Sequence, residues 1–118
     1  MSLTPRDRER LASLDTFTGR VRRAHGLVEQ FASSPREAEQ LGSSLRRSFS
    51  HMKMLGTTNG FDRLSQICGG LEMTARRGMS HLPKASALRE GVGNLTRQVD
   101  LERRAIMTAS TREAREPD

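Results

Sequence analysis

Apolar residues recur along the chain at alternating intervals of three and four, the spacing that lines one face of an α-helix. They form four successive stripes, and no segment alternates with the period of two typical of a strand. The first and clearest stripe contains Leu14, Phe17, Val21, Ala24, Val28 and Phe31. The next three contain Ala38, Leu41, Leu45, Phe49 and Met52; Phe61, Leu64, Ile67, Cys68, Leu71 and Ala75; and Ala85, Leu88, Val92, Leu95, Val99 and Ile106. The pattern predicts four amphipathic helices.

Short segments rich in Gly, Ser, Pro and Asn separate the stripes. After the first stripe, Ser34 and Glu37 have the spacing of a capping box, which predicts the start of the second helix there. Residues 56–60 predict a turn, and residues 80–83 a connector. Because short connections favour antiparallel neighbours, we expect an all-α protein, an antiparallel four-helix bundle.

The boundaries of the bundle follow from the ends of the pattern. Residues 1–13 precede the first stripe and predict an additional short N-terminal helical segment, an arm with Thr4 as N-cap and Pro5 as the first helical residue. The bundle is expected over residues 14–110, and a frayed polar tail over residues 111–118. Gly91 and Gly93 are each expected to weaken the fourth helix by up to ~1 kcal/mol.

Composition limits the kinds of partner and the cellular compartment that we expect for the chain. The chain has 118 residues, about one domain, with 20 basic against 14 acidic residues and a net charge of +6. Most basic residues are arginines interleaved with acids, which indicates a solvated helical surface suited to an acidic partner and argues against nucleic acid as the partner. The single cysteine, Cys68, indicates a reducing compartment and a core position, and no metal-binding spacing surrounds it. No apolar run is long enough to span a bilayer, so we expect a cytoplasmic protein without a membrane segment.

The most distinctive pattern lies in residues 45–72. Lys53 is followed by Gly60-Phe61, then by Leu64, and then by Leu71-Glu72. This spacing resembles that of histidine phosphotransfer (HPt) domains, and the resemblance extends over roughly residues 14–108. It implies a four-helix bundle with no cofactor of its own, whose exposed histidine exchanges a phosphoryl group with an aspartate of a receiver domain, with Mg²⁺ belonging to that receiver.

The resemblance fails at the central position. The family's histidine position is occupied by Ser50, and the glycine that usually follows the lysine is Met54. His51 is next to the family position, and it is the candidate phosphoacceptor. With Leu45 at zero on a helical wheel, Ser50 lies at about 140°, Met54 at about 180° and His51 at about 240°. A receiver acting on His51 would therefore dock about one residue rotated, with Lys53 on the far side.

The predicted partner is a response-regulator receiver domain or a hybrid histidine kinase. The residues predicted to contact it are Arg46, Arg47, Ser50, Lys53, Met54 and Thr57. Three functions stay open: an HPt-like module that accepts or passes a phosphoryl group, a degenerate form that only binds or sequesters a regulator, and a basic helical protein that binds nucleic acid. At most we expect a phosphocarrier, or phosphotransfer protein, without kinase or hydrolase activity of its own.

The remaining histidines and methionines have simpler interpretations. His25 is expected on the flank of the first helix, and His81 in the connector, where it could cap a helix end. Met52 and Met79 are expected to pack in the core, whereas Met54 is expected to face outward, where a flexible thioether suits a binding surface.

Overall fold

The computed structural model describes the backbone of residues 3–115 and the side chains of residues 3–111. The described chain forms four helices: α1, Pro5–Ser33; α2, Ala38–Thr58; α3, Asp62–Arg76; and α4, His81–Arg115. Each helix packs against its neighbours in the cyclic order α1, α2, α3, α4. The predicted all-α bundle of four helices is confirmed, in a molecule 62 Å long and about 20 Å across.

The core consists of the four apolar stripes. Every residue of the first stripe and of the fourth is buried. In the second stripe Leu45, Phe49 and Met52 have no exposed surface, while Ala38 and Leu41, nearer its start, are half-buried. Burying a Leu or Phe side chain contributes about 1.5–3 kcal/mol, so these stripes supply the main driving force for the fold.

The ends of the helices follow the sequence less closely. Thr4 caps α1 as predicted, since its hydroxyl accepts a hydrogen bond of 3.1 Å from the Asp7 N–H. The capping box predicted for Ser34 and Glu37 is wrong. The Ser34 side chain makes no capping bond, and the Glu37 N–H bonds instead to the Ser34 backbone carbonyl at 3.0 Å. The result is a 3₁₀ turn, Pro35–Glu37, before α2.

The connector before α4 is shifted relative to the prediction. It ends at residue 80, because α4 begins at His81 and holds Pro83 in its first turn, where a missing N–H breaks no helical bond. His81 Nε2 lies 3.3 Å from the Ala32 carbonyl oxygen near the end of α1, which fits the expected capping role. Met79 is 38 % exposed, so its expected core packing is wrong.

The predicted arm is continuous with α1. Arg103 bonds to Asp15 and Arg89 to Glu29, so α1 and α4 run antiparallel in a fixed register. Ala105 and Gly60 line one cavity, which places the α2–α3 turn level with Ala105. α4 continues past this level to Arg115, and its residues Ile106 and Ser110 are buried.

The predicted tail is helical as far as Arg115, the end of α4. Residues 116–118 of that tail lie outside the described residues, as do residues 1 and 2 of the predicted arm.

The glycines of α4 differ in their surroundings. A Cβ atom built on Gly91 would lie 2.3 Å from Cδ2 of Leu71, whereas one on Gly93 would meet only Arg97 Nη1, at 3.7 Å. Leu71 is buried, and its side chain occupies the space that a side chain at position 91 would fill. The helix propensity lost at Gly91 is therefore offset by closer packing of α3 on α4.

The two glycines provide a matched pair of substitutions. We expect Gly93→Ala to raise the free energy of unfolding by up to ~1 kcal/mol, because it adds helix propensity in open space. Gly91→Ala should lower it by about 1–3 kcal/mol, because the new methyl group displaces Leu71. Urea unfolding followed by circular dichroism measures both. Equal effects of the two substitutions would contradict the close packing of Leu71 against Gly91.

Cys68 gives a dependence of stability on pH. Its thiol is buried, and burial raises its pKa from the ordinary value of 9.0 to about 12. The unfolded chain therefore releases the thiol proton first as the pH rises. The stabilisation is complete below about pH 9 and is lost progressively toward about pH 12, by roughly 1 kcal/mol at pH 10.

The measurement is urea unfolding between about pH 8 and 10, with Cys68→Ala as the control. The variant should be less stable throughout because of the cavity, yet its stability should fall less steeply with pH. Parallel slopes for the two proteins would show that the thiol ionises equally in both states.

Candidate functional site

The outer surface of α2 carries the residues predicted to contact a partner. Arg46, Arg47, Lys53 and Met54 are exposed, and Ser50 is half-buried. Met54 is 69 % exposed, which agrees with its expected outward position. The polar positions flank this methionine, so a partner resting on α2 would meet one apolar side chain surrounded by positive charge.

Lys53 lies on the side of α2 that faces α3. A Cβ atom built on Gly69 would lie 3.8 Å from Cδ and Cε of Lys53, so the aliphatic stem runs across bare backbone of α3. The ammonium group stays at the surface, as is usual for such side chains. Because Ser50 precedes Lys53 by about one turn, both residues belong to the edge of α2 near α3. Ser50, and not His51, has the lysine beside it.

Thr57 is exposed, but it also fastens the α2–α3 hairpin. Its hydroxyl lies 2.7 Å from the hydroxyl of buried Ser65, and each hydroxyl lies 3.1 Å from the Lys53 carbonyl oxygen. Two protons serve these three contacts. The hairpin also closes around Gly56, where a Cβ atom would lie 3.1 Å from the Ser65 backbone nitrogen. Of the predicted contact residues, Thr57 therefore has a structural role as well.

Residues of α3 extend the site beyond the set predicted from the sequence. Met73 lies one turn beyond Gly69 on the same side of α3 and is 59 % exposed. We call the surface formed by Arg46, Arg47, Ser50, Lys53 and Met54 of α2 with Gly69 and Met73 of α3 the α2–α3 face. The sequence contained the signal, an apolar residue off the α3 stripe, but the level at which α3 lies beside α2 was needed to place it.

His51 lies on the opposite edge of α2. It is exposed, and within the described part of the chain its ring takes part in no hydrogen bond or ion pair. The 3.0 Å bond from Ser13 to Asn59 joins α1 and α2 and sets their register, which places Arg20 level with Met52. Arg20 Nε is buried and has no hydrogen-bond partner. An arginine that the sequence analysis did not single out therefore lies on the α1 side of α2, the side nearer His51.

Most of α2 carries positive charge without any negative charge. Residues 40–61 contain two arginines, one lysine and one histidine, and no acidic residue. On α3, Glu72 is engaged by Arg76 at 2.9 Å, so its carboxylate does not neutralise the arginines of α2. The α2–α3 face therefore presents an uncompensated positive field to an approaching partner.

Metal and membrane sites are absent from the described residues. No group of three or more His, Cys, Asp or Glu side chains there is placed to hold a metal ion. None of the helices in the described range is both long enough and apolar enough to cross a bilayer.

Comparisons with known proteins leave the chain without an assigned family. No protein-family model matches it, and neither the curated proteins nor the solved structures contain a match.

Proposed function

We propose that the chain is an HPt-like docking module of a bacterial two-component pathway, which binds the acidic phosphorylation surface of a receiver domain through the α2–α3 face and does not itself relay the phosphoryl group. The observation that carries this proposal is the composition of that face: exposed Met54 and Met73 among basic side chains, with no acidic residue on α2 from residue 40 onward. Apolar contacts would supply affinity, and the positive field would steer and orient the encounter.

Ser50 supports binding without relay. Neutral imidazole is a nucleophile near neutral pH, and its phosphorylated form passes the group on readily. A serine hydroxyl needs a base to react, and its phosphate ester is too stable to return the group to an aspartate. Lys53, which would neutralise phosphoryl oxygens at position 50, lies beside a residue that cannot carry out the exchange. The α2–α3 face thus has the charge for docking, whereas position 50 lacks the side chain for phosphoryl exchange.

A second candidate function is phosphotransfer through His51. Arg20 favours it, because its half-buried side chain lies on that side of α2 and its Nε has no hydrogen-bond partner, so the guanidinium group could turn to bind phosphoryl oxygens that Lys53 does not reach. The receiver would then dock rotated toward α1, away from the α2–α3 face.

Docking is tested by measuring the affinity of the chain for a panel of isolated bacterial receiver domains by biolayer interferometry. Met54→Glu and Arg47→Glu should each weaken the receiver that binds best by at least about tenfold, because each places a negative charge against an acidic surface. Met107→Glu and Arg23→Glu are matched controls on other surfaces and should change the affinity little. Equal losses in controls and test variants, or no binding to any receiver, would contradict the proposal.

Relay is tested with phosphoramidate, a small donor that phosphorylates accessible histidines, followed by intact mass and acid lability. His25 is also exposed and serves as an internal reference. We expect His51 to react no faster than His25 and to pass nothing to a receiver. An adduct that forms preferentially on His51, is lost in His51→Ala and is slowed in Arg20→Gln would instead establish the second candidate function.

A further inference from the structure

A groove runs along the seam between α1 and α4 and is closed at each end by an ion pair. At one end Arg103 Nη1 lies 2.8 Å from Asp15 Oδ1. At the other, Arg89 donates two hydrogen bonds to Glu29, at 2.9 and 2.6 Å. The pairs are fourteen residues apart on each helix, so the groove between them is about 21 Å long.

Two adjoining cavities occupy this groove, with volumes of about 430 and 440 Å³. They share four lining residues, namely Val21 and Arg22 of α1 with Thr96 and Arg97 of α4. Val99 lines one cavity and Val92 the other, so the groove has an apolar floor. Gly93 lines the second cavity without a side chain of its own, and a Cβ atom there would lie 3.7 Å from Arg97 Nη1.

The centre of the groove departs from the charge pattern of its ends. In the register set by the two ion pairs, Arg22 of α1 lies level with residues 96 and 97 of α4. Each end therefore joins an arginine to an acid across the seam, whereas at the centre two arginines share the same cavities. Arg97 bonds to the neutral side chain of Asn94, and the nearby carboxylate of Asp100 is engaged by Arg104 at 3.1 Å.

Two like charges at one place in an otherwise paired seam are unfavourable for the free protein. Replacing either by an acid would continue the series of ion pairs. The arrangement instead suits an anionic group inserted between two guanidinium forks, the geometry that arginine provides for bidentate binding.

The rim of the groove identifies the class of anion. The carboxylates of Asp15, Glu29 and Asp100 stand along it, each substantially exposed. Because each of these acids is paired with an arginine, the rim carries alternating charge and not the continuous positive stripe that suits a phosphate backbone. Neither cavity is lined by an aromatic side chain on which a base could stack. A polypeptide can place a single acid at the centre and apolar side chains on either side.

We propose that the α1–α4 groove is a second interaction site, which binds an acidic, partly apolar peptide segment of a partner protein. An aspartate or glutamate of that segment lies between Arg22 and Arg97, and its apolar side chains rest on Val21, Val92 and Val99. An extended segment of about seven residues spans the groove. The site lies across the bundle from the α2–α3 face and does not depend on the function proposed for that face.

The free protein provides the first test. Arg97→Glu places an acid level with Arg22, and we expect it to raise the melting temperature by about 2–4 °C. Arg23→Glu, an exposed position one residue from Arg22 that lines neither cavity, is the control and should not raise it. A lower melting temperature for Arg97→Glu would overturn the uncompensated arginine pair and, with it, the proposal.

The second test selects ligands for the groove from a phage-displayed library of random peptides of about twelve residues, a length that exceeds the groove. We expect enriched peptides to carry Asp or Glu beside apolar residues and to shift the backbone NMR signals of Thr18, Val21 and Thr96. Arg22→Gln and Arg97→Gln should each weaken their binding by at least about tenfold, whereas Arg23→Gln should leave it unchanged. Circular dichroism confirms that each variant is folded.

In this second test, three outcomes overturn the inference. One is a selection that yields no peptide whose binding depends on Arg22 and Arg97. Another is shifts of the groove signals by a random-sequence DNA duplex that exceed those produced by the peptides, which would assign the site to nucleic acid. The third is concentration-dependent shifts of the same signals in the protein alone, which would assign the groove to a second copy of the chain.

Discussion

The approach of α2 to α3 at Gly56 is the contact on which the rest of the site depends. At this point the Ser65 backbone nitrogen is so near that a Cβ atom would lie 3.1 Å from it, so the backbones meet without a side chain between them. Ser65 then hydrogen-bonds to both Thr57 and the Lys53 carbonyl. These contacts fix the rotation of α2 about its own axis. They therefore decide that Ser50 and Lys53 lie on the edge of α2 near α3 and that His51 lies on the opposite edge.

A fixed rotation explains why a one-residue displacement of the histidine matters. Moving a side chain by one position on a helix turns it by about 100°. A flexible loop could absorb such a change, but a helix held on one side by backbone contact cannot. The cation that would assist chemistry at position 50 and the histidine at position 51 are therefore kept on different edges of α2. In the proposed function, docking therefore uses the α2–α3 face, whereas phosphotransfer through His51 would need a partner on the α1 side of α2.

The sequence was sufficient to predict the core, but not the helix ends or which residues meet where two helices pack together. Stripes such as that from Leu14 to Phe31 were sufficient, because burial of apolar side chains dominates the choice of fold. Helix ends were less predictable: Ser34 and Glu37 have capping-box spacing, yet the chain satisfies the same backbone groups with a 3₁₀ turn. Met73 and the Arg22–Arg97 centre depend on which residues lie level in neighbouring helices. That register comes from contacts such as Arg103 with Asp15, and a single sequence does not display it.

The continuation of α4 beyond the hairpin divides one long helix into parts of unequal stability. Near Leu88 and Leu95, α4 is held within a four-helix core, whereas past Ser110 it continues beyond the level of the α2–α3 turn to its end at Arg115. A helix that extends beyond a bundle buries less apolar surface per residue than it does within the bundle, so the far end should open without the rest unfolding. Amide exchange would then be graded along α4, with its two ends belonging to different cooperative units.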